Sequence, residues 1–294
     1  MIEQRLTQSA LLLVLCVFLS SCNPEPLVPI SMPEHQLISC EDYAYEITPI
    51  GLLTNNVWNK HAADGADIKP KQCILKRQQG NNTVYGWSWS WPRFPRTVFA
   101  QPQIKIGASP WDPSPSYGAQ LPVAINNIKS ANFAHKLNVI HNSDFNVAST
   151  MWLVDQALDV EQLSKDEAQE REAQKRAIRT EMMIWTYYTP GQLKPGGKHL
   201  DSITIDGLVW EYWYAPKWGD VSEVNQSTWR HIAFRLAEPS LDAKINIGAL
   251  LNYAVDQKHI EPEWFVADLE LGTEVMGGDG FAVVEQFDFT LKEK

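Results

Sequence analysis

Basic residues are scarce in this chain. Lys and Arg total 25 against 35 Asp and Glu, a formal net charge of −10 over 294 residues. A surface of that sign repels polyanions, so nucleic acid is not an expected partner. Cysteine is scarcer still, at four residues. Cys16 and Cys22 lie in or just after an apolar N-terminal stretch, while Cys40 and Cys73 lie in the soluble part and can form one bridge, which would suit an oxidising compartment. The chain has no HExxH, no Walker A motif, no GxGxxG and no GxSxG, and its seven His are scattered without metal-ligand spacing. Metal, nucleotide and serine-hydrolase chemistry therefore have no support, and no cofactor is expected. The apolar run Ala10–Leu19 is about half the roughly 20 residues a membrane-spanning helix needs, and no later segment approaches that length.

That run has the size of a signal-peptide core. Leu19-Ser20-Ser21-Cys22 follows at once and resembles the bacterial lipoprotein cleavage box, in which small residues precede a Cys. The resemblance implies a signal peptide over 1–21, acylation of Cys22 and a lipid-anchored protein of the cell envelope, at the outer membrane or cell surface, or else a secreted one. Residues 23–38 carry four Pro and extend the segment 22–38 as a tether.

Residues 39–294 read as one domain, expected to be monomeric. Hydrophobic residues make up 44 % of the chain and charged residues 20 %, enough for a sizeable core. Short β-branched and aromatic runs recur between turn residues, among them 82–91, 102–108, 135–142, 145–154, 181–188, 201–215, 227–236, 264–275 and 280–291. This pattern predicts an all-β sandwich or jelly roll. Gly277-Gly278-Asp279-Gly280 reads as a hairpin turn between the last two runs. Residues 240–257 predict one helix on the convex side of a sheet, with Ser240 as N-cap. Residues 159–179 predict an exposed, charged helical insertion, from the i,i+4 pairs Glu161–Lys165, Glu167–Arg171 and Glu172–Arg176.

Two acids stand out because they interrupt apolar strands. In Thr180-Glu181-Met182-Met183-Ile184-Trp185, period-2 geometry puts Glu181, Met183 and Trp185 on one face and Met182 and Ile184 on the other. An unpaired buried carboxylate is expensive, so Glu181 is expected to face a cleft. Glu274 in Leu271-Gly272-Thr273-Glu274-Val275-Met276 is a second acid of this kind. Two such acids on one concave sheet are what glycosidic-bond hydrolysis requires. The 12 Trp fit either an aromatic core or a surface on which sugar rings stack.

These segments resemble glycoside hydrolase family 12, whose nucleophile strand reads Glu-x-Met-x-Trp and whose acid/base strand carries Gly-x-Glu. Asn55-Asn56-Val57-Trp58 resembles the family's early NNxW element, flanked by Cys40 and Cys73 as by the family's disulfide, and Trp210-Glu211-Tyr212-Trp213 resembles its WExW strand. The resemblance implies a two-sheet jelly roll with a concave cleft for a β-glucan chain. It implies retaining endo-hydrolysis of β-1,4-glucosidic bonds in cellulose-type glucan, xyloglucan or mixed-linkage glucan, with Glu181 as nucleophile and Glu274 as acid/base. Trp58 and Asn56 would bind the glucan on its non-reducing side, and Met183 and Trp185 would line the floor. Glu211 is expected to be structural.

One position departs from the family pattern. Where an Asp that hydrogen-bonds the nucleophile is expected, this chain has Thr150, in Ser149-Thr150-Met151-Trp152. A hydroxyl can still donate a hydrogen bond, but it brings no charge. A surface lipoprotein that binds glycan without cleaving it is the alternative this departure raises, and transglycosylation would use the same covalent intermediate.

Overall fold

The computed structural model describes residues 35–111, 117–118, 120–158, 175–191, 194–219 and 228–294. In chain order the strands are β1 (Gln36–Ser39), β2 (Tyr45–Thr48), β3 (Gly51–Thr54), β4 (Lys71–Gln79), β5 (Asn82–Trp91), β6 (Gln103–Gly107), β7 (Val123–Ala124) and β8 (Ile128–Val154). There follow β9 (Ile178–Tyr188), β10 (Lys198–Ile205), β11 (Leu208–Gly219), β12 (Thr228–Leu236), β13 (Asp242–Asn246), the helix α1 (Ile247–Asp256), β14 (Phe265–Val266) and β15 (Asp268–Glu293).

Two long strands make the sandwich. β8 and β15 run antiparallel along their whole length, and each half belongs to a different layer. The early half of β8 and the late half of β15 sit in an outer sheet of order β1-β4-β5-β15-β8-β13. The other halves sit in an inner sheet of order β2-β3-β6-β15-β8-β9-β12-β11-β10. The crossing point on β15 is a register shift between Val275 and Gly277. Gly277 (φ 139°) and Gly278 (φ 85°) hold the bend, and a Cβ on Gly278 would lie 2.3 Å from the Asn142 carbonyl oxygen. The Gly-rich segment 277–280 is therefore a bulge inside one strand and not the expected hairpin turn. Its two flanks pair with β8 and not with each other. The expected single run 201–215 instead hides a hairpin, turned at Asp206 (φ 50°) and Gly207 (φ 80°), the αL pair a two-residue β-turn requires.

The core lies between the layers and is rich in indole. Alternation along β5 sends Trp87, Trp89 and Trp91 inward, each 3 % exposed or less. Trp87 Nε1 donates to Thr273 Oγ1 across the layers at 2.8 Å, and Trp91 stacks on Phe99 with ring centroids 4.9 Å apart. Gly280 leaves room for Trp89, since a Cβ there would meet the indole at 2.0 Å. A disulfide joins Cys40 to Cys73 on β4, tying β1 to the outer sheet.

The expected helix over 240–257 is half strand. Asp242–Asn246 alternates, with Ala243 and Ile245 buried, and pairs with β8 as β13. The helix begins at Ile247, capped by the Asn246 side chain, whose Oδ1 accepts from Ala249 N at 3.0 Å. Ser240 makes a local turn instead, its Oγ accepting from Asp242 N and donating to Asp242 O. α1 buries Leu250, Leu251 and Ala254 and sets Tyr253 edge-on to Tyr212, on the convex back of the inner sheet. Of the expected charged insertion, residues 159–174 lie outside the described residues, and 178–179 open β9.

Candidate active site

The concave face of the inner sheet follows from alternation. On β9, Met182 and Ile184 enter the core, which turns Glu181, Met183 and Trp185 to the other side. On β15, Leu269, Leu271 and Val275 enter the core, and Asp268, Glu270, Gly272 and Glu274 face the concave side. The two acids singled out by sequence thus share one face, with β8 between their strands.

Their register is staggered. Glu274 stands opposite Asn146 of β8, whereas Glu181 stands opposite Trp152. The Glu181 charge still acts on Glu274, and side chains on the concave face reach diagonally across neighbouring strands. Gln101, beside Glu274, shows how far: its Nε2 donates to Thr150 Oγ1 at 3.2 Å across β15. Gly272 makes the crossing possible. A Cβ there would lie 2.9 Å from Gln101 Cγ and 2.6 Å from the Pro102 carbonyl oxygen. The Gly of Gly-x-Glu is therefore dictated by packing beside Glu274.

The two carboxyls have opposite surroundings. Glu181 Oε2 accepts two hydrogen bonds from β12, from Trp229 Nε1 at 3.0 Å and from His231 Nδ1 at 3.2 Å. β12 runs parallel to β9 and sets His231 directly opposite Glu181. Glu274 is clamped by Asn146, whose Nδ2 donates to Glu274 Oε2 and whose Oδ1 accepts from Glu274 N. Desolvation is the largest influence on Glu274, pushing its pKa up to about 7. The Asn146 hydrogen bond opposes this rise, the Glu181 charge adds to it, and His231 reduces it. The three titratable groups therefore sense one another. One carboxyl is held by N–H donors while the other retains a proton near neutrality, an acid/base division suited to glycosidic-bond chemistry.

A match to the family model described as glycosyl hydrolase family 12 covers residues 51–292. The chain belongs to that family. Endoglucanase S of Pectobacterium parmentieri is 23 % identical over 229 residues, 78 % of this chain and 76 % of that protein. The family 12 xyloglucanase of Bacillus licheniformis, solved with ligand, superposes with a TM-score of 0.69 at 25 % identity, covering 86 % of this chain and 99 % of that one. Endoglucanase 3 of Trichoderma harzianum superposes with a TM-score of 0.65 at 18 % identity, over 89 % of this chain and 100 % of that one. The protein is thus a glycoside hydrolase with a jelly-roll fold.

The remaining expected site residues sort by burial. Met183 and Trp185 are 3 % and 4 % exposed and pack with Ala148, Ala233, Tyr188 and Trp213 as the floor of the concave face. Asn55 is wholly buried, bonding Glu41 O, Gln72 O and the Gln72 side chain. Val57 enters the core, and Asn56 and Trp58 on either side of it remain half-buried. The Asn56 carbonyl accepts from Gln101 N at 2.9 Å, which fixes this loop beside Glu274. Cys22 lies outside the described residues. Glu211, expected to be structural, turns to the concave face with Trp213, because Trp210 and Tyr212 enter the core, and its Oε2 accepts from Arg235 Nε at 2.8 Å and from Trp213 Nε1 at 3.2 Å.

Four further residues around the two acids were passed over by sequence reading. Asn146, Gln101, Trp229 and His231 contact the two acids or Thr150. Only the segment 227–236 carried a signal, as a His set among apolar residues with a Trp two positions earlier. Trp229 also joins Trp111 and Trp152 in an edge-to-face triad with centroids 5.2–5.3 Å apart, which holds its indole aimed at Glu181.

Proposed function

We propose that the enzyme hydrolyses internal β-1,4-glucosidic bonds of a glucan with retention of anomeric configuration, Glu181 acting as nucleophile and Glu274 as acid/base. The observation that carries this reading is the pairing, on a single concave face, of a donor-held carboxylate with a desolvated one whose pKa is pushed up to about 7. In the first step a Glu181 oxygen bonds the anomeric carbon as the glycosidic C–O bond breaks, and the Glu274 proton passes to the leaving oxygen. In the second, Glu274 takes a proton from water, the water oxygen bonds the anomeric carbon, and the electron pair returns to Glu181. The endoglucanase and xyloglucanase names of the relatives support glucan as the substrate class. Trp58 and Asn56 are proposed to hold the chain on the non-reducing side, and Met183 and Trp185 to form the floor beneath it.

Reducing-end assays on a soluble cellulose derivative and on xyloglucan test this reading, with proton NMR of the first-formed anomer. Activity in wild type, its loss in Glu181→Gln and an initial β-anomer are expected. An initial α-anomer would exclude retention. The Leu19–Cys22 box supports a lipid anchor at Cys22, which incorporation of labelled fatty acid, abolished in Cys22→Ala, would test.

A further inference from the structure

Resting on the reading of Glu181 as nucleophile, we propose that His231 is a positioning residue of this site, holding one oxygen of Glu181 so that the other attacks. The position where the family pattern leads one to expect an Asp partner carries Thr150, which is 1 % exposed and receives the Gln101 amide at 3.2 Å. Thr150 pairs with Met183, two residues out of step with Glu181. The direct cross-strand neighbour of Glu181 on the other side is His231.

Its placement is tightly determined. The His231 side chain is 4 % exposed, and Trp218 stacks on the imidazole with centroids 5.2 Å apart and planes 28° apart. Nδ1 meets Glu181 Oε2 at 3.2 Å, while Nε2 is buried with no hydrogen-bond partner among the described residues. A carboxylate oxygen without its own proton accepts only from an N–H, so Nδ1 carries hydrogen. Among the described residues, the charged groups that interact with the ring are Glu181 from β9 and, farther off on β15, Glu274.

The consequence is regiochemical and electrostatic. Both donors, Trp229 Nε1 and His231 Nδ1, fall on Oε2. Oε1 accepts no hydrogen bond among the described residues and is the oxygen that bonds the anomeric carbon. When the glycosyl–enzyme bond breaks, the returning electron pair delocalises onto Oε2, where two fixed N–H groups already wait. A histidine in this place also ties the nucleophile to the acid/base, because the ring that bonds Glu181 also lowers the Glu274 pKa.

The test measures kcat and KM of wild type, His231→Val and His231→Asn on one soluble β-1,4-glucan from about pH 4 to 9. Glu181→Gln is the control and circular dichroism the check of folding. Valine removes the donor, whereas asparagine keeps an N–H near the Nδ1 position. In H231V, kcat is expected to fall about 30- to 100-fold with KM within about twofold. The upper, acid/base limb of the pH profile should move to higher pH, since the ring that lowers the Glu274 pKa is then gone. H231N should keep kcat within about fivefold of wild type, with the same limb moved as in H231V, since asparagine restores the N–H but not the charge. A profile that stays in place in H231V, or an H231N as impaired as H231V, overturns the proposal. If H231V does not fold, H231N decides alone, a kcat within about fivefold of wild type supporting the proposal and a collapse to the E181Q level overturning it. Wild type no more active than E181Q would instead overturn the functional reading, before His231 enters.

Discussion

The two faces of the inner sheet share strands and hydrogen-bond ladders yet obey different rules. On the core face, Met182, Ile184, Ile232, Phe234, Leu269 and Leu271 are wholly buried and apolar, and almost any well-packed hydrophobe satisfies their surroundings. On the concave face, one residue away along the same strands, lie Glu181, His231, Glu274, Asn146 and Thr150, several of them as deeply buried as the core. Burial there is obtained by mutual hydrogen bonding. The concave face therefore loses chemistry when perturbed, whereas the core face loses stability. The tryptophans divide the same way: Trp87, Trp89 and Trp91 fill the space between the sheets, and Trp229 spends its N–H on Glu181.

The largest effect that would sharpen this contrast is in Glu181→Gln. Activity should fall more than about 10⁴-fold with little change in melting temperature, and Glu274→Gln about 10²- to 10⁴-fold on substrates with poor leaving groups. Reducing-end assays beside thermal melts measure both. On the other face Trp87→Ala should cost about 3–5 kcal/mol in denaturant unfolding while the folded fraction keeps its kcat. A Trp87 variant that folds normally yet loses catalysis would erase the distinction between the faces.

Smaller effects concern single contacts. Trp58→Ala should raise KM about 10-fold with a small effect on unfolding, as expected of a half-buried stacking platform, which titration with short glucan oligosaccharides can follow. Trp229→Phe should lower kcat about 5- to 10-fold, since phenylalanine keeps the aromatic packing of this position while His231 still holds Oε2.

The smallest effect is on pH-dependent stability. The Glu274 pKa rises from 4.5 to about 7 on folding. Between those values the native state binds more protons than the unfolded chain, so this carboxyl's contribution to stability is complete below the lower value and is lost as pH rises through the higher. Glu274→Gln removes that loss. Its melting temperature should exceed that of wild type above about pH 7, with the gain disappearing near pH 5, as calorimetry at both pH values would show.

The lessons of the sequence were local ones. Lone acids in apolar strands marked Glu181 and Glu274, and alternation put Met183 and Trp185 beside Glu181, because a strand repeats every two residues whatever it pairs with. Boundaries that depend on distant partners were not legible. The 277–280 segment has turn composition but bends within β15, since β8 continues beside it on both sides. Residues 242–246 look helical in a helical context but complete a sheet edge. The twelve tryptophans could not be sorted into core and site by composition, because the same indole serves both.

By itself the sequence determined the strand content, the family and the two acids that share a face, all properties of short segments. Only the tertiary structure decided which strands lie side by side. It brought His231 and Trp229 to Glu181 through a parallel pairing between segments about fifty residues apart. It also raised the Glu274 pKa by removing that carboxyl from water beside another one. The physical reason is that hydrogen-bond partners and desolvation are set by three-dimensional neighbours, whereas the face to which a side chain points is set by the residue next to it in the chain.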